Sequence, residues 1–212
     1  MRLEATLWLA HLDDARTLAL AGDAEGVHQV RVSLRRLRVW LSFKGHPGWE
    51  EELRWLCSEL ALLRDLDVFG DVLTAGARAG LRPKAVKRAV TALESKRFHA
   101  LRDALWAVSS PRRSRAKRVL PKLERAWEKR RDRLRKGDGE AIHRLRRALR
   151  RVRYAREWLG LDTAEVAAEQ EQLGALCDLL ALRSFAHGHG VDVPAALNEA
   201  ITKAFEWLEA RA

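Results

Sequence analysis

The chain is predicted to be all-α, and three observations carry that prediction. Strong helix formers dominate the 212 residues, whereas Ile occurs only twice and Tyr once, so the β-branched and aromatic signal of strands is weak. Apolar residues recur with helical period in eight runs, and glycine or proline punctuates the gaps between them. One of those runs is repeated in the second half of the chain. With 47% hydrophobic residues there is enough apolar side chain to bury a sizeable core.

The runs follow in order. The first, 3–21, stops at Gly22, and the second, 25–44, closes on "KGHPGW". The third, 50–79, holds Gly70 and Gly76, which permit a bend or a split, and closes on "AGLRP". The fourth, 84–108, ends at "SSP"; the fifth, 112–136, at "KGDGE"; the sixth, 139–159, at "GLDTAE". The seventh, 164–187, runs into "HGHGVDVP", and 194–210 completes the set. Each break supplies a helix end, a cap or a proline near a first turn.

The repeat organises these runs. "VHQVRVSLRRLRVW" begins at Val27 and "IHRLRRALRRVRYA" at Ile142. One offset of 115 carries His28 to His143, Arg31 to Arg146, Arg35 to Arg150, Arg36 to Arg151 and Arg38 to Arg153. The next run matches more weakly, "LALLRDLDVF" against "LGALCDLLAL", which sets Asp65 opposite Asp178. The motif therefore lies on the second helix of each set of four. This predicts an internal duplication: two pseudo-symmetric four-helix bundles, 1–108 and 109–212, in a single domain.

On a helix advancing ~100° per residue, with His28 at zero, Arg31, Arg35 and Arg38 fall at about −60°, −20° and −80°. Val30, Leu34, Leu37 and Leu41 occupy the opposite face, and Arg36 lies to one side. In the second copy His143, Arg146, Arg150 and Arg153 share a stripe opposite Leu145, Leu149 and Val152, with Arg147 close to the basic face and Arg151 matching Arg36. No acid falls within either motif stripe, although a solvated helix normally relieves such repulsion with Glu or Asp one turn away. The missing partner is either an external anion or an acid from another helix, with Asp65, Asp67 and Asp71 the candidates for Arg31 and Arg35. Forked, permanently charged guanidinium groups repeated every 5 to 6 Å, from a rise of ~1.5 Å per residue, suit a chain of phosphates better than one small anion. Two such ladders would build a long basic channel.

Net charge is +11, but from Arg78 to Arg153 there are 27 Lys and Arg against 7 Asp and Glu, a local balance of +20. A field so polarised draws polyanions. His28 and His143 head the two ladders as candidate hydrogen-bond donors to phosphate oxygens. No His/Cys cluster has metal-ligand spacing, so neither a metal nor a cofactor is expected. Cys57 and Cys177, each in a Leu/Ala-rich stretch, read as small core residues. "MRLEATLWLAHLDD" is interrupted by Glu4, Asp13 and Asp14, so neither export nor a membrane span is expected, and the cytoplasm is the expected compartment.

These stretches, together with "LRWLCSELALLRDLDVF" and "KRFHALRDAL", resemble the CHAD family, whose name abbreviates "conserved histidine α-helical domain". The resemblance covers nearly the whole chain. It implies two four-helix bundles about a basic central channel, binding of inorganic polyphosphate and association with polyphosphate granules. The two His-x-x-Arg-x-x-x-Arg-Arg-x-Arg copies stand at the family's motif positions, whereas Cys177 and Leu180 replace the arginine and second aspartate of "RDLDV" in the second half. Family members are often fused to a triphosphate-hydrolysing tunnel domain. Its strand motifs do not occur in this chain, so the resemblance implies the binding module alone.

The expected function is therefore non-catalytic polyphosphate binding that targets or scaffolds granules. No GxxxxGK[ST] loop or compact acidic metal cluster points to an enzyme. The alternative is a nucleic-acid-binding basic helical protein. The stripes lack the interleaved aromatics of single-strand binders, and their helices look central where duplex readers need a projecting one.

Overall fold

In a computed structural model, which describes residues 2–45, 48–134, 139–193 and 195–209, the chain is all-α. The described residues form ten helices: α1 (Thr6–Leu20), α2 (Ala24–Ser42), α3 (Gly48–Glu59), α4 (Ala61–Phe69), α5 (Ala75–Glu94), α6 (Lys96–Ala107), α7 (Arg113–Arg131), α8 (Gly139–Leu159), α9 (Ala164–Gly188) and α10 (Ala195–Glu209). The one extended pairing among them is an isolated bridge between Arg2 and Arg112. The chain divides into two compact units, Met1–Arg115 and Ala116–Ala212.

The first unit is built on the α1–α2 hairpin. Gly22 turns the chain with φ +87°, a conformation that suits glycine alone. Asp23 caps α2 by accepting from the Glu25 amide at 2.8 Å. A Cβ at Gly26 would lie 2.3 Å from the Ala19 nitrogen, so glycine is what lets α2 start hard against the end of α1, two residues before His28. Val30, Leu34 and Leu37 are fully buried, and Trp40, also buried, donates from Nε1 to the Leu3 carbonyl at 2.6 Å. His11 Nδ1 and the buried Ser33 hydroxyl lie 2.8 Å apart and peg the two helices together.

Arginine forks brace the rest of this unit. Arg102 holds Asp13 of α1 through two bonds of 2.6 and 2.9 Å, Arg97 holds Glu52 at 2.7 and 2.9 Å, and Arg88 holds Glu59 at 2.7 and 3.1 Å. Such bidentate pairs fix orientation as well as proximity.

The second unit carries the same kind of seam. On α8, Ile142, Leu145, Leu149, Val152, Ala155 and Leu159 are all fully buried, against an α9 that buries Leu173, Leu176, Cys177 and Leu180. Gly160, with φ +60°, ends α8, and the Leu161 amide closes back onto the Arg156 carbonyl at 3.0 Å. Arg156 Nη2 reaches Glu124 Oε1 of α7 at 2.8 Å.

The eight predicted runs become ten helices because three breaks are added and one expected break is absent. The run 50–79 is cut after Glu59 and again by a 3₁₀ turn, Gly70–Val72, after which Leu73 is extended and Thr74 caps α5 by accepting from the Ala77 amide. The break expected at "AGLRP" does not occur. Pro83 sits inside α5, where it costs one backbone hydrogen bond, and the exposed position of Ala79 leaves the orphaned carbonyl to water. Ser95, with ψ 150°, divides the fourth run: its hydroxyl donates to Ala92 O and accepts from the Phe98 amide. His46 and Pro47 of "KGHPGW", 136–138 of "KGDGE" and Pro194 lie outside the described residues.

Truncating the α2 seam is expected to be expensive. Leu37→Ala should lower the unfolding free energy by about 2–5 kcal/mol, whereas Leu7→Ala, at a side chain 73% exposed, should stay within about 0.5 kcal/mol. Urea melts followed by circular dichroism measure both. Equal midpoints would contradict a buried α2 face.

Candidate functional site

Burying one face of α2 leaves His28, Arg31, Arg35, Arg36 and Arg38 half-buried on the remainder of the helix. Their stems pack while their heads stay accessible, the usual compromise for long cationic side chains. Arg31 Nη1 donates to the Cys57 carbonyl of α3 at 2.6 Å, and its Nε is buried with no hydrogen-bond partner. Arg36 stacks on Trp8 of α1, its guanidinium carbon 4.2 Å from the ring centre. Arg38 pairs with Glu50 of α3. Arg35 also takes part in the network.

The acids expected to neutralise Arg31 and Arg35 are distributed differently. Asp67, with its side chain only 4% exposed, pairs with Arg82 of α5 at 2.7 Å, and Asp71 pairs with Arg78. Asp65 alone stays near the stripe. Burial pushes its carboxyl above the usual carboxylate range, while Arg31 and Arg64 pull the other way.

Burial is also the main reason that His28 is held below the ordinary imidazole value. Arg64, Arg35 and Arg31 depress it further, and Glu25 opposes them. Arg64 is thus the strongest charge on His28, and the sequence reading missed it. Its signal is the arginine that precedes the two aspartates of "LLRDLDV", and its reach to His28 depends on the packing of α4 against α2.

On α8, His143, Arg146, Arg150 and Arg153 are half-buried, whereas Arg147 and Arg151 are exposed. Arg146 Nη1 meets Asp178 Oδ1 of α9 at 3.0 Å, and its Nε, like that of Arg31, is buried without a partner. Gly174 makes room for it: a Cβ there would lie 3.3 Å from Arg146 Nη2. Arg147 reaches Glu140 at 3.2 Å, Arg153 reaches Glu157 at 2.9 Å, and Arg150 and Arg151 are engaged as well. His143 is lowered chiefly by burial. Arg146 and Arg147 add to the effect, while Glu140 and Asp178 oppose it.

The expectation that each helix leaves its own stripe without an acid is corrected at the ends of the α8 motif, while acids from other helices, the alternative left open, meet Arg38 and Arg146. Glu157 lies one turn beyond Arg153 on the same face, just past the end of the motif, and Glu140 lies just before its start. Glu50 and Asp178 arrive from neighbouring helices. Cys177 is buried, its thiol pushed up by burial, as suits a core residue.

Each unit thus presents a helix with one face in the core and the other lined by cations. Each stripe is headed by a neutral-leaning imidazole and an arginine with one unmet N–H. Chemically, such a stripe can receive several anionic oxygens in a row.

No curated protein matches the chain. Among solved structures, the crystal structure of the CHAD domain from the plant Ricinus communis matches with a TM-score of 0.67, covering 98% of this chain and 83% of that one at 24% sequence identity, a likeness of fold. The family model for the CHAD domain matches residues 5–187. The matched segment contains both His/Arg helices, and the chain belongs to the CHAD family.

Proposed function

We propose that the protein binds inorganic polyphosphate through the cationic stripes of α2 and α8 and works without catalysis, as a module that targets or scaffolds polyphosphate granules. In this reading 1–108 and 109–212 are copies of one binding repeat, and each contributes its own row: His28, Arg31, Arg35, Arg36 and Arg38 in the first, His143, Arg146, Arg147, Arg150, Arg151 and Arg153 in the second.

One observation carries the reading. The leading arginine of each motif copy, Arg31 and Arg146, keeps a buried Nε–H with no partner. An unmet buried donor costs about 1–3 kcal/mol. The same atom is left unmet at motif-matched positions of two different units, in both on a stripe of cations and a histidine that carboxylates only partly neutralise. A phosphate oxygen entering there removes the cost, and further oxygens of the same chain meet the arginines that follow.

Reversing charge in both rows separates the stripes from the overall field. Arg35→Glu with Arg150→Glu should weaken polyphosphate binding about 100-fold or more, from two charge-assisted contacts of about 1.5–3 kcal/mol each. Lys84→Glu with Lys96→Glu, at exposed lysines of α5 and α6, makes the same charge change and should cost about threefold or less. The measurement is titration of labelled polyphosphate at physiological salt with excess duplex DNA present. Equal losses in the two variants, or release by the DNA, would sink the reading.

The histidines set the pH dependence. In the free protein both imidazoles are depressed and therefore neutral near pH 7. A bound polyanion raises their pKa values, so the complex takes up protons. Affinity should then rise as pH falls from the raised bound value to the depressed free value, and level off below it, while arginine charge stays constant. His28→Gln with His143→Gln keeps donors that cannot titrate and should remove this slope while retaining most of the affinity. Binding that weakens in acid and is lost to a chelator would instead identify a metal site.

A further inference from the structure

A second cationic row lies outside both motif copies. On α7, Arg118, Lys122, Arg125 and Lys129 recur at i, i+4, i+7 and i+11, which sets them within about 60° of one another on a helix advancing ~100° per residue. All four are exposed, and the opposite face of the helix buries Ala116, Leu120 and Leu123. The two acids of α7 do not interrupt the row. Glu124 lies well off it and is tied to Arg156, and Glu128 falls to one side. Among the described residues none of the four cations meets an acid within ion-pair distance.

The motif stripes differ in that respect. Arg38, Arg146, Arg147 and Arg153 each hold a carboxylate of the same chain, which an incoming anion has to displace. At the α7 row nothing is displaced except water and counterions. Exposed like charges accelerate encounter with a polyanion, which favours this row as a first point of contact.

We infer that the outer face of α7 is a second phosphate-binding track, the surface on which a long polyphosphate chain first docks. The inference rests on the polyphosphate reading of the motif stripes. The row extends about 16 Å at a rise of ~1.5 Å per residue, with cations about 4.5 to 6 Å apart along it. A flexible phosphate chain can follow all of that length, whereas a duplex, convex like the helix, curves away after a few contacts. No aromatic lies in the row to stack an unpaired base: Trp127 belongs to the packed side, with Arg131 above its ring at 5.0 Å. Insertion into a membrane would need the apolar face of α7, and that face is in the core.

The test uses the full chain carrying Arg118→Gln, Lys122→Gln, Arg125→Gln and Lys129→Gln together, since glutamine keeps helix propensity. Circular dichroism checks the fold, and association and dissociation rates are measured for tripolyphosphate and for long-chain polyphosphate. For the long chain, the association rate at low salt should fall about tenfold, and the slope of log affinity against log salt should become shallower by about three, from four phosphate contacts. Tripolyphosphate affinity should change less than about twofold. Arg35→Glu with Arg150→Glu should show the converse, faster dissociation with association largely kept. Unchanged long-chain kinetics in the α7 variant overturns the inference and leaves the motif reading standing. So does an equal loss for both chain lengths, or duplex DNA held more tightly than polyphosphate through these four residues. A wild-type protein that binds neither polyphosphate overturns both.

Discussion

Everything at the cationic stripes depends on the complete burial of one face of α2 and one face of α8. Val30, Leu34 and Leu37, and Leu145, Leu149 and Val152, have no measurable contact with solvent. Each such side chain contributes on the order of 1.5–3 kcal/mol by leaving water, and together they fix the rotation of their helices about their own axes. A helix free to roll would turn its arginines toward whichever acids came nearest. Locked by its seam, it holds four or five cations in a row despite their mutual repulsion, which is worth only a few tenths of a kcal/mol per pair. The hydrophobic term is larger by about an order of magnitude, so the repulsive arrangement persists.

The chain handles its charge in three ways. In the first unit, Arg82, Arg88, Arg97 and Arg102 are paired with Asp67, Glu59, Glu52 and Asp13, so part of the basic middle of the chain is structural mortar between helices. On the motif helices the arginines are only partly satisfied: a head group is shared with Asp178 or Glu50, while an Nε is left unmet at Arg31 and Arg146. On α7 Arg118, Lys122, Arg125 and Lys129 are exposed. Local net charge alone does not separate these classes; the partner of each guanidinium does.

Much of this was legible in the sequence because it is local. Helical period located the seams, and the offset of 115 located both motif copies without knowledge of the fold. What stayed hidden was set at longer range or by caps that compete with stronger signals. Thr74 and Ser95 end helices through hydroxyl–backbone bonds, while Pro83, the louder signal, is absorbed at an exposed position of α5. Glu50 and Asp178 reach the stripes from other helices, which no wheel drawn for α2 or α8 contains. Glu157 falls on the same wheel as the α8 stripe, but one turn past Arg153, where the repeated motif ends. Arg64 acts on His28 from α4, where only the packing of α4 against α2 gives it a role.

The internal carboxylates bear on why a chain of phosphates suits these stripes better than a single one. A small anion that displaces Asp178 from Arg146 exchanges one charge-assisted bond for another and gains little, since the aspartate is already positioned and the ligand is not. A polyanion meets the same exchange at each arginine, but its translational freedom is lost only once. Every later contact is intramolecular, at an effective concentration far above that of free phosphate. On the polyphosphate reading the unmet Nε–H of Arg31 and of Arg146 offers the ligand a further bond, one in each unit, and the imidazole at the head of each stripe offers another by taking up a proton. The gain grows with the number of phosphates engaged while the cost of entry does not. On the same reading, pre-paired arginines favour long ligands over monovalent and divalent anions, which an unpaired cationic row would hold without displacing a carboxylate.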